Sequence, residues 1–244
     1  MPPSPASLAC SALLFDLDGV LVDSTACIER TWREWAARHA LDADAVLRLA
    51  HGRRALETVR RAAPHLDDTE VAAEAAALAA HEARETTGVL EVPGAAALLR
   101  GLPPERWAVV TSGVRAVAEH RLRHVGLPIP PIMVCADEVA HGKPHPEGYL
   151  AAAARLGFAA AECVVVEDAP AGLAAARAAG VQALAVATTH APADLADARL
   201  VAPTLRAVAV RVERSGGGAV LRVELREATA GGAGGAETSV SAAP

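Results

Sequence analysis

Five short apolar runs, separated by helix-like segments, constrain the fold of this chain more than any other feature. Each run is four or five residues long and is flanked by turn residues, as buried strands are. The runs lie at residues 12–15, 108–111, 132–136, 163–167 and 183–187. Helical patterns lie at 115–124, 147–156 and 172–179. Because strands that alternate with helices form parallel sheets covered on both faces, the pattern predicts an α/β fold with a doubly wound, Rossmann-like parallel sheet.

The interval between residues 24 and 92 breaks this alternation. It contains helical patterns at 27–39, 53–63 and 69–85 and no convincing strand. A segment of this length is too long for a simple crossover between parallel strands, which usually needs a dozen or so residues. We therefore expect a helical-bundle cap domain at 24–92, inserted into an α/β core formed by 8–23 and 93–206.

The composition changes after the predicted core. Two runs with alternating apolar residues, 207–212 and 219–225, flank a Ser-Gly-Gly-Gly segment, which is typical of a hairpin. We expect this C-terminal hairpin within residues 207–227. The segment 228–244 is rich in Gly, Ala, Ser and Thr and is expected to be disordered.

Charge and composition disfavour several classes of function. A net charge of -6 and an aromatic content of 2% argue against nucleic-acid binding, which uses basic surfaces and stacking rings. No apolar run approaches the roughly 18 residues of a membrane span, and the N-terminus lacks the basic region of a secretory signal. The cysteines show no metal-ligand spacing and are expected to be buried hydrophobic residues. We expect a cytoplasmic protein with a small-molecule partner, and both a monomer and a homodimer stay open.

Two aspartates end the first predicted strand. Asp16 and Asp18 follow the apolar run at 12–15, and in an extended chain they point to the same side. Ligands of open α/β sheets bind at the carboxyl ends of the strands. Neighbouring carboxylates repel each other unless a cation or a shared proton is present. Solvated aspartates at a strand-to-turn junction are the alternative interpretation.

Two later segments offer groups that suit a phosphate. Thr111, Ser112 and Gly113 follow the second strand with a hydroxyl and backbone N–H groups that can bind a phosphate oxygen; helix N-capping is the alternative. Lys143 lies in a proline-stiffened loop, where a fixed ammonium can neutralise a phosphoryl oxygen. A solvated loop lysine is the alternative there.

A second acidic pair, Glu167 and Asp168, ends the strand predicted at 163–167. Mg²⁺ prefers one or two carboxylates together with phosphate oxygens and water, so this pair suits a magnesium site. Helix N-capping by Asp168 is the alternative. Each segment has an ordinary explanation when taken alone, but we know of no structural requirement that produces all four together.

Three basic residues cluster on a Gly-containing turn of the predicted cap. His51, Arg53 and Arg54 would grip a phosphate or sugar hydroxyls if the cap closes over the core. Solvated residues at a helix start are the alternative.

The four core segments resemble the motif signature of the haloacid dehalogenase superfamily. They read FDLDGVLVDS, VVTSG, GKPHPEGY and VVVEDAPAG, and the resemblance covers the chain from about residue 13 to residue 187. The helical block after the first segment matches the cap that many members insert there. The sequences of the last two segments, together with AHGRR in the cap, most resemble those of sugar-phosphate and glycerol-phosphate phosphatases.

The resemblance implies a magnesium-dependent phosphatase that acts on small phosphate monoesters. Asp16 would be the nucleophile that forms an aspartyl-phosphate, and it would also bind Mg²⁺. Asp18 would be the general acid/base, and its backbone carbonyl would bind the metal. Thr111 and the backbone after it would hold phosphoryl oxygens, and Lys143 would balance their charge. Asp168 would complete the metal shell.

The resemblance leaves some points open. Glu167 would either bind the metal through water or support the site. A phosphosugar mutase of the same superfamily carries the same motifs and stays an alternative, as does a non-catalytic binding protein that kept the fold.

Overall fold

A computed structural model describes residues 7–50, 52–215 and 218–226 of the chain. The strands, in chain order, are β1 (Ser7–Cys10), β2 (Ala12–Phe15), β3 (Val22–Asp23), β4 (Leu90–Glu91), β5 (Trp107–Val110), β6 (Met133–Val134), β7 (Cys163–Glu167), β8 (Gln182–Val186), β9 (Leu200–Ala202), β10 (Val208–Ser215) and β11 (Gly218–Leu225). The α-helices are α1 (Thr25–Arg38), α2 (Ala43–Ala50), α3 (Ala55–Ala62), α4 (Asp68–Glu82), α5 (Ala95–Arg100), α6 (Arg115–His124), α7 (Glu147–Leu156) and α8 (Pro170–Ala178).

The main sheet has six parallel strands in the order β6-β5-β2-β7-β8-β9. β2 lies near its centre, and all four of its residues are buried. Successive residues of β2 pack into different apolar clusters: Phe15 joins one, and Leu14 joins the other. A strand covered on both faces reads as a continuous apolar run, which is why the runs were recognisable. The predicted doubly wound α/β fold is confirmed.

The strand ends differ in detail from the prediction. The run at 132–136 shortens to Met133–Val134, an edge strand that has only β5 as its partner in the described part of the sheet. β9 is only three residues long and was not predicted. Short edge strands make few ladder hydrogen bonds, so their sequences carry a weak signal.

Helices α1 to α4 form a separate bundle between β3 and β4. Its apolar centre contains Trp32, Trp35, Val59 and Leu78. The two chain segments that connect this bundle to the core pair with each other as the antiparallel strands β3 and β4. The expectation of no strand between residues 24 and 92 is therefore wrong at Leu90–Glu91. Two-residue strands leave no periodicity to detect.

A second, three-stranded sheet has the order β1-β11-β10. β10 and β11 pair in antiparallel register, where a hairpin was expected. β1 pairs with β11, so Leu8 and Val223 are neighbours in this sheet, and both are buried. The tail predicted to be disordered, 228–244, lies outside the described residues. Among the described residues, no helix has the length and apolar character needed to cross a membrane.

Candidate active site

The predicted core segments converge at the carboxyl edge of the main sheet. β2 lies between β5 and β7, and all three are parallel, so the residues at their ends lie side by side. Asp16 follows β2, Thr111 follows β5, and Glu167 ends β7. Lys143 comes from the loop before α7, and its Nζ lies 2.5 Å from Asp16 Oδ1 and 2.5 Å from Glu167 Oε1. All four residues are buried. The structure therefore joins four sequence segments into one site.

Glu167 is held by four hydrogen bonds that use both of its carboxylate oxygens. Oε1 accepts from Lys143 Nζ and from the Tyr149 hydroxyl at 2.9 Å. Oε2 accepts from the backbone N–H groups of Asp168 at 2.9 Å and Ala169 at 3.0 Å. Burial acts to raise the pKa of Glu167, but the charge of Lys143 and the donors outweigh it and hold this pKa below its usual range. Of the two roles left open, this geometry favours a supporting residue that fixes the lysine.

Carboxylates outnumber ammonium groups at this buried position. Burial raises the pKa of Asp16 to about 7; Lys143 opposes the shift, and the charge of Glu167 adds to it. Burial and the charges of Glu167 and Asp16 raise the pKa of Asp168 well above its usual range. A cation beside these groups would reverse both shifts, because it stabilises ionised carboxylates.

The donor set fits a magnesium ion. Asp16, Glu167 and Asp168 offer carboxylate oxygens that lie within 4.8 Å of one another. Oxygen ligands of this kind are what Mg²⁺ prefers. Gly19 allows the backbone to approach closely, since it has a φ of +83° and an added Cβ would lie 2.1 Å from Asp168 Oδ2. Because Glu167 is occupied by its donors, Asp16 and Asp168 are the side chains that would hold the ion.

Asp18 has partners that the sequence did not reveal. Its Oδ1 accepts from Ser24 Oγ at 2.6 Å and from Arg121 Nη1 at 2.7 Å. Ser24 and Arg121 are both 1% exposed. Ser24 ends the first motif, which is the signal that could have found it, whereas nothing in the sequence distinguishes Arg121 from the other basic residues of α6.

The segment at residues 111–113, predicted to bind phosphate, already has hydrogen-bond partners within the protein. Thr111 Oγ1 accepts from the Gly113 N–H at 3.0 Å. Ser112 Oγ donates to the carbonyl of Gly52 at 2.9 Å, which links this segment to the helical bundle. To bind a phosphate, the Gly113 N–H would have to release Thr111 Oγ1, and the Ser112 hydroxyl would have to release the Gly52 carbonyl.

Arg54 is engaged with the core. Its Nη1 donates to the carbonyl of Val139 and its Nη2 to that of Ala140, each at 3.0 Å. Its Nε donates to Glu57 at 2.8 Å. These contacts attach the first turn of α3 to the loop that leads to Lys143. Arg54 also lines the cavity between the bundle and the core, and its substrate contact stays a prediction.

A cavity of about 350 Å³ lies between the carboxyl edge of the sheet and the helical bundle. Its core side includes Asp16, Asp18 and Asp168. Its bundle side includes Arg53 and apolar side chains of α1, α3 and α4. His51, the third basic residue predicted for the cap, lies outside the described residues.

Thr189 and His190 also line this cavity and were missed by the sequence analysis. The Thr189 hydroxyl donates to Asp168 Oδ2. Both residues follow β8 closely, so the rule that polar residues at strand ends form the site would have found them.

The fold and the site together define a hydrolase whose α/β core carries an inserted helical bundle over a carboxylate-rich cavity. A family model described as "Hydrolase: haloacid dehalogenase-like hydrolase" matches residues 10–180, and the chain belongs to this family. The predicted superfamily is therefore confirmed.

The similar proteins include sugar- and polyol-phosphate phosphatases, as the motif sequences predicted. Hexitol phosphatase A of Escherichia coli (strain K12) is 46% identical over 171 residues, which cover 68% of this chain and 78% of that protein. Glycerol-1-phosphate phosphohydrolase 2 of Saccharomyces cerevisiae is 37% identical over 182 residues, covering 70% of this chain and 72% of that protein. A solved hydrolase from Pseudomonas syringae has a TM-score of 0.71 and 26% identity, covering 79% of this chain and 92% of its own.

Proposed function

We propose that this hydrolase is a magnesium-dependent phosphatase that acts on small phosphate monoesters of sugars or polyols. The observation that carries the proposal is the buried Asp16 carboxylate, which directly follows the central strand β2 at the cavity and lies 2.5 Å from the Lys143 ammonium. A carboxylate held beside a fixed cation is suited to attack an anionic phosphate, because the cation reduces the repulsion between them. The names of the similar phosphatases support the substrate class.

The reaction proceeds in two displacements. A carboxylate oxygen of Asp16 attacks phosphorus, the bond between phosphorus and the ester oxygen breaks, and Asp18 gives its proton to the departing alcohol. Asp18 then takes a proton from water, and the hydroxide displaces Asp16 from the aspartyl-phosphate to release phosphate. Thr111 and Lys143 hold the phosphoryl oxygens throughout. Asp16, Asp168 and the backbone carbonyl of Asp18 would hold Mg²⁺, whose positive charge would favour the approach of the two anions.

The helical bundle at 24–92 is proposed as a cap that closes over the cavity. Closure would exclude water until the alcohol has left. His51, Arg53 and Arg54 stay predicted contacts to a phosphate or to sugar hydroxyls, and Ser112 and Gly113 stay predicted contacts to the phosphate. For Arg54 we propose a role in docking the cap onto the core. The cytoplasmic location and the choice between monomer and homodimer stay predictions.

Replacement of the nucleophile tests this function. The assay measures inorganic phosphate released from a panel of sugar and polyol phosphates with Mg²⁺, and again after EDTA treatment. Asp16→Asn should reduce release to background while the circular dichroism spectrum stays unchanged, and EDTA should abolish release by the wild type. Asp197→Asn, at an exposed surface carboxylate, is the matched control and should keep full activity.

Two results would contradict the proposal: substantial turnover by Asp16→Asn, or wild-type release that ignores EDTA. Conversion of the ester to an isomer without phosphate release would instead identify a mutase.

A further inference from the structure

A buried arginine joins the proposed acid/base to the cap. Arg121 lies on α6 of the core and is 1% exposed. Its Nη1 donates to Asp18 Oδ1 at 2.7 Å, and its Nη2 donates to Glu82 Oε2 at 2.9 Å. Glu82 is the last residue of α4, a helix of the cap. One guanidinium therefore bridges a carboxylate of the core and a carboxylate of the cap.

The hydrogen bonds to Asp18 fall on one of its two oxygens. Oδ1 accepts from Arg121 and also from Ser24 Oγ at 2.6 Å, whereas no side chain in the described ranges donates a hydrogen bond to Oδ2. An oxygen that already accepts two short hydrogen bonds is a poor site for a proton. Asp18 lines the cavity. The proton that the mechanism requires is thus directed to Oδ2, the oxygen without a donor.

The position of this guanidinium depends on both carboxylates. Within the described chain, Arg121 Nε is buried and has no hydrogen-bond partner. The Asp18 and Glu82 carboxylates therefore provide the contacts that compensate for removing the charge from water. Movement of α4 away from the core would remove Glu82 and leave Arg121 with one partner. The ion pair with Glu82 consequently favours the docked position of the cap.

We propose that Arg121 is a positioning residue that couples docking of the cap to the orientation of Asp18. When the cap is docked, the two terminal nitrogens of the Arg121 guanidinium donate to Asp18 and to Glu82. Asp18 then presents Oδ2 to the oxygen of the departing alcohol. The inference rests on the proposed phosphatase function and adds a residue outside the four motifs to its proton-transfer step.

The dependence of the rate on the leaving group tests this role. An alkoxide needs a proton in order to leave, whereas p-nitrophenolate leaves well without one. General acid catalysis contributes about 10²–10⁴-fold to such steps, so loss of the Asp18 orientation should act on alkyl esters selectively. The measured quantity is kcat/KM for glycerol 1-phosphate and for p-nitrophenyl phosphate, because it reports the first phosphoryl transfer and not the later hydrolysis.

Arg121→Lys keeps the charge but cannot bridge two carboxylates with a planar fork. It should lower kcat/KM for glycerol 1-phosphate by about 10–100-fold and that for p-nitrophenyl phosphate by less than about threefold. Arg123→Lys is the matched control, since Arg123 lies on the same helix with its side chain 61% exposed. It should keep the wild-type ratio of the two values. Glu82→Gln should raise KM for both esters. It should also shift the ratio of the two kcat/KM values in the same direction as Arg121→Lys, by a smaller factor, because Arg121 keeps its contact with Asp18.

A double variant keeps the test valid if Arg121→Lys does not fold. The double variant Arg121→Met/Glu82→Met removes both members of the buried Arg121–Glu82 ion pair. Proteins often tolerate the replacement of a whole buried pair by apolar side chains. The double variant should show the same selective loss for the alkyl ester. Equal losses for both esters would reduce Arg121 to a structural residue, and an unchanged KM in Glu82→Gln would overturn the coupling to the cap. A wild type that hydrolyses neither ester with Mg²⁺ would overturn the proposed function and this inference with it.

Discussion

Replacing Gly172 with alanine is expected to destabilise the protein, although alanine is ordinarily the better helix residue. Gly172 lies inside α8, where the intrinsic propensity favours alanine by about 1 kcal/mol. At this position an added Cβ would lie 1.7 Å from Glu167 Oε1 and 1.9 Å from its Cδ. Atoms cannot approach so closely, so either the Glu167 side chain or the helix has to move.

The cost follows from the partners of Glu167. This carboxylate is 1% exposed and accepts four hydrogen bonds, one of them from Lys143. A hydrogen bond to a charged group contributes about 1.5–3 kcal/mol, so loss of two of them costs about 3–6 kcal/mol. After the propensity gain, the net loss of unfolding free energy is about 2–5 kcal/mol. Activity should fall further than the unfolded fraction explains, because Glu167 orients Lys143.

Urea unfolding followed by circular dichroism measures the first effect, and Mg²⁺-dependent phosphate release measures the second. Gly101→Ala is the matched control: Gly101 has a φ of −85°, and the nearest heavy atom to an added Cβ is 3.4 Å away. Its unfolding free energy should change by no more than about 0.5 kcal/mol. A Gly172→Ala variant at least as stable as the wild type would refute the steric argument.

Three further predictions concern groups of known burial. Lys143→Met should abolish phosphate release and cost about 3–5 kcal/mol of unfolding free energy, because buried carboxylates lose their partner; an active variant would contradict this. Arg54→Ala should destabilise the cap by about 1–3 kcal/mol through its lost backbone contacts, seen as faster hydrogen exchange in α1 to α4, and unchanged exchange would argue against cap docking. Burial raises the pKa of Cys10 and Cys135 to about 12 and that of Cys163 to about 11. These thiols should therefore resist iodoacetamide at neutral pH until the protein is unfolded, and rapid native labelling would contradict the burial.

The parts of the site that lie at strand ends were predictable from local sequence. An apolar run in the sequence indicates a buried strand. Parallel pairing then brings the residues at the ends of neighbouring strands together. Asp16, Thr111 and Glu167 were recognised in this way, and the structure places them at one edge of the sheet. The proline-rich loop of Lys143 was recognised by its composition.

The residues that position these groups were not predictable by the same means. Arg121 contacts Asp18 across 103 positions of sequence, and α6 contains other basic residues with the same local pattern. Tyr149 lies within a recognised segment, but only the packing of α7 against β2, β5 and β6 brings its hydroxyl to Glu167. Such contacts depend on how whole elements pack, which local periodicity does not encode. The same reason explains why the pairing of β1 with β11 was missed.

The pairing of β1 with β11 has a consequence for how the chain folds during its synthesis. Ser7 is the register partner of Glu224, so β1 leaves the ribosome more than 200 residues before its partner. At about 5–20 residues per second, the delay amounts to roughly 10–40 s. The last strand of the main sheet ends at Ala202, so the catalytic sheet can assemble within that interval. In the described part of the chain β1 pairs with β11 and with no other strand, so the nascent chain closes its second sheet last.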